Sequence, residues 1–297
     1  MEKILFPLIA LASVLAVSNA QASWAYVPLE LRMAGAKYIV VGKIDRIVDG
    51  IERNDRTCDV GAIKVSKVLK GPKTLKEVKL MWPGPARFAL STDIKFRKGQ
   101  EGVWILYPDQ KVKDVFWASF PSDYQALANL PKVQEKIKAL NSIAWSKAVD
   151  GLQLGAIIEK YDVRKQKIVV KGRSVKALSR ATAYVVLRNT GKALTHAVNF
   201  PHDKQITLKL TDPDGKAMPF EMRVPAGRVP PLVGNHFLSV APNSIRSVGY
   251  GVGLPMLVQS GKYSLELEYA NKREGENFVK GKVWKGKLRA KATFNVK

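Results

Sequence analysis

Apolar and polar residues alternate along most of the chain, and this two-residue period predicts strands rather than helices. β-Branched residues are frequent in the same segments, which also favours strands. In the first half, strands are predicted at residues 36–48, 60–70, 75–82, 103–107 and 115–119. The polar residues 49–59 are predicted to form a loop. Five short strands separated by turns are typical of a small barrel.

A helical period follows the predicted barrel. Apolar residues recur there at steps of three and four, at Leu127, Leu130, Val133, Ile137 and Leu140. The segment Ser122 to Gln125 resembles a capping box for a first helix, and Pro131 suits the first turn of a second. An amphipathic helix of this kind can serve a partner or a membrane, but we expect it to pack on its own barrel.

Strands and turns return from residue 152 onward. The clearest predicted strands lie at residues 181–188, 205–210, 262–269 and 288–296. Asp212-Pro213-Asp214-Gly215 is a strong turn sequence. Strands at spacings of about ten residues are typical of a β-sandwich. The chain as a whole is therefore predicted to be mainly β.

The first 22 residues have the pattern of a secretory signal peptide. Lys3 precedes an apolar run from Ile4 to Val17, and Ala20-Gln21-Ala22 offers small residues for cleavage before Ser23. The run is shorter than the roughly 20 apolar residues that span a membrane. We expect an exported chain, periplasmic or secreted, with no transmembrane segment after cleavage.

Charge is the most unusual feature of the composition. The chain has 49 Lys and Arg against 25 Asp and Glu, a net charge of +24. The excess is larger in residues 151–297, with 26 basic and 10 acidic side chains. Such a field attracts anionic polymers and surfaces and acidic proteins. A single cysteine, Cys58, excludes an internal disulfide.

The N-terminal half resembles the netrin-like module, an OB-type barrel shared with metalloproteinase inhibitors and complement C-terminal domains. The residues that carry the resemblance are Ala36 to Ile44, Ile63 to Pro72 with its Lys-Gly-Pro turn, and Phe96 to Leu106. The resemblance implies a barrel followed by a helix. The inhibitors begin with a cysteine whose amine binds zinc, whereas the expected terminus here is Ser23. The inhibitory mechanism therefore does not carry over.

The C-terminal half is similar to the immunoglobulin-like sandwiches appended to bacterial exported proteins. Val185 to Gly191, Asp212 to Gly215, Gly261 to Tyr263 and Trp284 to Lys287 carry this similarity. The predicted organisation is a signal peptide at 1–22, a netrin-like OB barrel at 23–120, a helical segment at 121–150 packing on the barrel, and the immunoglobulin-like β-sandwich at 151–297.

Binding through a basic surface is the function that these features favour, without catalysis, cofactor or metal. Six cations alternate near the last strand and are predicted to form a ridge that contacts the ligand: Lys280, Lys282, Lys285, Lys287, Arg289 and Lys291. The expected partner is an anionic polymer or membrane surface, or an acidic secreted protein, because export argues against nucleic acid. Trp82, Trp104 and Trp117 could stack a bound oligomer on the barrel, with its backbone held by Lys64, Lys67, Lys70, Lys76 and Lys79. Strand alternation instead favours the tryptophans in the core and these lysines on the solvated outer face.

Two other functions stay open. The chain could inhibit or scaffold a secreted enzyme through protein contacts of Ser23, Trp24 and Tyr26 at the barrel's N-terminal edge. It could also bind a metal or hydrolyse a substrate on loops that carry its three histidines, His196, His202 and His236.

Overall fold

The computed structural model describes residues 27–297 apart from 54–55, 85–94, 110, 119–120, 163–166, 171–172, 177–178, 200–204, 220–235, 250, 273 and 276. The described helices are α1 (Leu29–Gly35) and α2 (Leu130–Asn141), with 3₁₀ turns at Pro121–Asp123 and Leu127–Asn129. The first six strands are β1 (Tyr38–Arg53), β2 (Arg56–Lys70), β3 (Glu77–Pro83), β4 (Glu101–Pro108), β5 (Val115–Trp117) and β6 (Tyr124–Gln125). None of the described helices is long and apolar enough to cross a membrane.

Twelve further strands follow among the described residues. They are β7 (Leu152–Asp162), β8 (Lys167–Val170), β9 (Arg173–Lys176), β10 (Ser179–Asn189), β11 (Thr195–Val198), β12 (Ile206–Thr211), β13 (Ala217–Met218), β14 (Phe237–Val240), β15 (Ile245–Ser247), β16 (Val252–Gly253), β17 (Gly261–Asn271) and β18 (Gly286–Val296). The fold is mainly β, as the sequence predicts.

Strands β1 to β5 form a closed barrel of OB type. The order is β1-β2-β3-β5-β4, and β4 returns to pair with β1. The β3–β5 pair is parallel, and the other pairs are antiparallel. All five predicted strands are present, and β6 adds to the outer side of β4.

Strand β1 is buried on both faces where it closes the barrel. Val40 and Ile44 point into the barrel core, whereas Ile39 and Val41 pack under the helices. In strand β4, Trp104 and Leu106 belong to the barrel core, whereas Val103 and Ile105 pack under the helices. Burial on both faces explains why these strands are nearly continuous apolar runs rather than clean alternations.

The tryptophans of the barrel belong to its interior. Trp82 and Trp104 are almost fully buried, and the Trp104 indole N–H donates to the Gly42 carbonyl at 2.8 Å. Trp117 is half-buried, and its indole N–H donates to Asp109. The core position that alternation favours for Trp82 and Trp104 is confirmed, so neither offers a stacking face.

The predicted loop at residues 49–59 is wrong. Strands β1 and β2 continue to pair there, with Ile51 opposite Cys58 and Arg53 opposite Arg56. Ile47 and Val48, just before this part of β1, are exposed. The ladder continues beyond them in a polar sequence that resembles that of a loop. Cys58 itself is buried.

The capping box predicted at Ser122 to Gln125 is also wrong. Asp123 is fully buried against Arg32, and Tyr124 and Gln125 pair with β4 instead of starting a helix. Helix α2 begins at Leu130, with Pro131 in its first turn as predicted. Its apolar face packs on the outside of the barrel as expected, with Val133 fully buried.

The second half of the chain packs two sheets around one core. One sheet has β10 between β7 on one side and β15 and β16 on the other. The facing sheet has the order β13-β12-β17-β18. Leu154, Val185, Leu208 and Leu265 meet in the shared core. This arrangement is a β-sandwich.

The outer face of the β7–β10 sheet is covered by the helical layer. Ile157, Tyr184 and Val186 form an apolar cluster on that face. Residues from α1, from α2 and from the segment that follows α2 pack against it, namely Leu31, Leu140, Ile143 and Trp145. The helices therefore contact the barrel and the sandwich at once.

The close approach of β1 and β2 depends on a glycine in β1, which gives a first prediction. A Cβ on Gly42 would lie 2.5 Å from the Lys64 carbonyl oxygen, at a point where β1 and β2 shift register. We expect Gly42→Ala to lower the free energy of unfolding by about 1–3 kcal/mol, because overpacking shifts the backbone. Urea unfolding of the two proteins measures the difference.

A glycine in the sandwich supplies the matched control. No atom lies within 4 Å of a Cβ built on Gly253, so Gly253→Ala should change stability by less than about 1 kcal/mol. Equal stability of Gly42→Ala and the unmodified protein would contradict the close approach of β1 and β2.

Candidate functional site

A cleft of about 960 Å³ lies between the barrel and the sandwich. One wall is α1 with the residues that flank it, and a second is formed by the ends of β2 and β4. The third wall comes from the sandwich, from Leu238 and from residues 241–247, which include β15. Its volume is within the range of small-molecule sites.

Helix α1 is fixed to the barrel by a buried ion pair. Arg32 Nε donates to Asp123 Oδ1 at 2.7 Å, and both side chains are almost completely inaccessible to solvent. The Tyr107 hydroxyl donates to the Arg32 carbonyl at 2.6 Å, and the guanidinium lies 5.9 Å from the Tyr107 ring centroid. Glu30 on the same helix pairs with Lys136 of α2. These contacts set the position of the first wall.

Lys70, the last residue of β2, binds the carboxyl end of α1. Its Nζ donates to the carbonyls of Met33 at 3.0 Å and Ala34 at 2.9 Å. Carbonyls at a helix end carry partial negative charge, which favours a cation there. Burial lowers the pKa of Lys70 to about 8. No carboxylate among the described residues offsets this effect of burial on Lys70.

Arg246 on β15 reaches the same end of α1 from the sandwich. Its Nη1 lies 3.6 Å from the position that a Cβ on Gly35 would occupy, and Tyr107 Cε1 lies 3.6 Å from that point. Burial raises the pKa of Tyr107 and Asp123 raises it further, against the opposing effect of Arg32 and Arg246. Tyr107 consequently stays a neutral donor at ordinary pH.

The lining of the cleft is cationic. Among the described residues it includes Arg32, Lys37, Lys70 and Arg246 and no acidic residue. The carboxylate of Asp123 pairs with Arg32 and offsets its charge. Lys37 lies over aromatic rings, 5.4 Å from the Tyr38 centroid. Within the described residues no ion pair involves Lys37, Lys70 or Arg246, so their charge is available to an anion.

The six cations predicted as a ridge lie on β18 or just before it, and β18 belongs to the sheet that faces β10. Lys287, Arg289 and Lys291 point outward from β18, and the other three lie in the residues before it. Carboxylates accompany most of them, in the pairs Lys282–Asp150, Lys285–Glu274, Lys287–Glu268, Arg289–Glu268 and Lys291–Glu266. Hydrogen bonds from Lys287 and Arg289 lower the pKa of Glu268. The ridge is thus partly neutralised, and its role in binding stays a prediction.

The histidines do not come together among the described residues. His196 is buried, with Nε2 3.1 Å from the Lys280 carbonyl oxygen and Nδ1 3.1 Å from Ser239 Oγ. Because a carbonyl only accepts, Nε2 is the donor in the contact with Lys280. His202 lies outside the described residues. No group of three or more potential ligands lies within metal-binding reach in the part of the chain that the structure describes.

The predicted partner-binding residues Ser23, Trp24 and Tyr26 lie outside the described residues. The residues of the cleft were missed by sequence reasoning, apart from the inclusion of Lys70 among the barrel lysines. Asp123 resembled a helix cap, and Arg246 lies in a short segment without a motif. No local sequence pattern indicates that residues from such distant segments of the chain lie close together in the fold.

Comparison with known proteins adds no family. No protein-family model matches the chain, and no curated protein matches it at a significant level of similarity.

Lys70 gives the stability of the protein a specific pH dependence. The folded pKa is about 8, against an ordinary value of 10.5. Between these values the unfolded chain holds a proton that the folded chain has released, so the free energy of unfolding rises with pH. We expect the loss of this proton to raise the free energy of unfolding by about 1–3 kcal/mol as the pH rises through that interval.

Lys70→Met keeps the aliphatic stem and removes the titration, so its unfolding free energy should rise less steeply from pH 8 to 10.5. Tyr107 and Tyr269 have raised pKa values because of burial, and they lower stability above about pH 10 in both proteins. The difference between the two urea-unfolding series therefore isolates Lys70. Identical slopes would show that the Lys70 ammonium is not destabilised.

Proposed function

We propose that this chain is an exported, non-catalytic binding protein that holds an anionic ligand in the cleft between its barrel and its sandwich. The observation that carries the proposal is the described lining of the cleft, where Lys37, Lys70 and Arg246 come from three walls and no described residue is acidic. Uncompensated cations in a concave site favour an anion, since field lines concentrate in such a cleft.

Export is the second part of the proposal. Its support is the sequence of residues 1–22, with a positive start, an apolar run and a small-residue cleavage site. The mature chain would begin at Ser23. We also propose that the barrel is netrin-like, that the sandwich is immunoglobulin-like, and that the domain boundaries lie at residues 120 and 150. The closed barrel order with a parallel β3–β5 pair supports the first of them.

The cleft is a better candidate than the ridge as the principal site. Most of the ridge cations are matched by nearby carboxylates on an exposed sheet surface, where each pair contributes little. Lys37, Lys70 and Arg246 have no such partners among the described residues and line a concave space. The ridge would instead add to long-range attraction of the anion.

Arg246→Ala tests the proposal with tripolyphosphate as the probe. We expect a loss of about 10- to 100-fold in affinity by titration calorimetry, because hydrogen bonds to charged groups contribute about 1.5–3 kcal/mol. Binding should also weaken as salt rises from about 50 to about 200 mM.

Arg289→Ala is the matched control, because it removes an arginine from the ridge and leaves the cleft intact. It should change the affinity for tripolyphosphate by less than about threefold. An equal loss of affinity in Arg246→Ala and Arg289→Ala would contradict a site in the cleft. An affinity that does not fall as the salt concentration rises would contradict recognition of an anion.

A further inference from the structure

The apolar part of the cleft is not explained by a purely ionic ligand. Val27, Leu31, Leu238 and Ile245 line it and are each only half-buried. A small hydrophilic anion at the cations would leave these side chains in contact with water. Concave apolar surface beside a few polar groups is the usual composition of a site for a largely apolar small molecule.

Two of the cations, by contrast, approach the same end of α1. Lys70 Nζ lies 2.9 Å from the Ala34 carbonyl oxygen, and Arg246 Nη1 lies 3.6 Å from where the Gly35 Cβ would be. The two groups therefore approach consecutive residues at the end of α1, from the barrel and from the sandwich. A single acidic headgroup placed there would contact both.

Strand β15 adds backbone groups to the same region. Arg246 pairs with Leu187 on β10, and the flanking bonds run from Asn189 N to Ser244 O and from Val248 N to Val185 O. In an antiparallel ladder the intervening residues, Ile245 and Ser247, direct their N–H and C=O groups away from the partner strand. Both residues line the cleft, so this edge can offer donors to an anion.

From this division of the cleft we infer that its ligand is a single-chain anionic amphiphile. The carboxylate or phosphate headgroup binds at Arg246 and Lys70, and the hydrocarbon chain lies along Leu31, Leu238 and Ile245. The inference rests on the proposed function and specifies its ligand class. A long anionic polymer is a poorer fit, because it would leave the apolar wall without a partner.

The experiment compares alkyl phosphates of six to twelve carbons, inorganic phosphate and dodecanol, each below its aggregation limit, by displacement of the anionic dye anilinonaphthalene sulfonate. We expect affinity to rise up to about fourfold for each added methylene, as full burial of a methylene allows. Dodecyl phosphate should bind at least about tenfold more tightly than dodecanol, because hydrogen bonds to the charged headgroup are lost in the alcohol.

Gly35→Leu locates the site. The added side chain enters the space between Arg246 and Tyr107 and should abolish binding of dodecyl phosphate. Gly253→Leu, at a position with no atom within 4 Å of the added Cβ, should bind as the unmodified protein does. Near-ultraviolet circular dichroism checks that both variants are folded, and Arg246→Ala provides a second, less invasive variant of the cleft.

The outcomes separate the two proposals. Equal, Arg246-dependent affinity for inorganic phosphate and dodecyl phosphate would overturn the amphiphile and leave the anion-binding function standing. Equal affinity for dodecyl phosphate and dodecanol would overturn both. Chain-dependent binding that survives Gly35→Leu, or binding to phosphatidylglycerol vesicles without binding of the free alkyl phosphates, would overturn the assignment to this cleft.

Discussion

The buried ion pair between Arg32 and Asp123 is the interaction on which the rest of the site depends. A helix of seven residues such as α1 has no independent stability in water, so its tertiary contacts must maintain it. Removal of one partner of a buried pair typically costs about 3–5 kcal/mol, because the other charge is left without compensation. Tyr107 adds a hydrogen bond to the Arg32 carbonyl. Without these contacts the end of α1 would no longer lie beside Lys70 and Arg246, and the first wall of the cleft would be lost.

The helical layer also explains why a cleft exists between two β structures. Leu31 and Leu140 pack on the outer face of the β7–β10 sheet, while other residues of the same helices cover the barrel. Trp145 continues the layer, with the Arg188 guanidinium 4.4 Å from its ring centroid and hydrogen-bonded to Gln153. The two β structures thus meet through side chains in fixed positions. A cleft built in this way would need little ordering to receive the proposed ligand, which reduces the free-energy cost of binding.

The sequence predicts much of the fold because strand formation follows local alternation. Trp104 and Tyr263 occupy the core as their strands' patterns require. Prediction failed where tertiary contacts override a local pattern. Asp123 resembles a helix cap but pairs with a residue 91 positions away, and the polar end of the β1–β2 hairpin is ordered by backbone pairing. The cleft could not be predicted, because Arg246 and Lys70 approach the same end of α1 only after the barrel, helices and sandwich have packed. The cations near the last strand are conspicuous in the sequence because they lie close together along the chain, whereas their carboxylate partners come from other segments.

Hydrogen–deuterium exchange of the protein, with and without tripolyphosphate, tests the central claim most directly. It reports which segments the anion stabilises without requiring a substitution. A ligand held in the cleft should slow exchange in residues 29–37 and 238–247 and leave residues 286–291 unchanged. Slower exchange confined to residues 280–291 would place the anion on the outer surface of the sandwich and contradict the account.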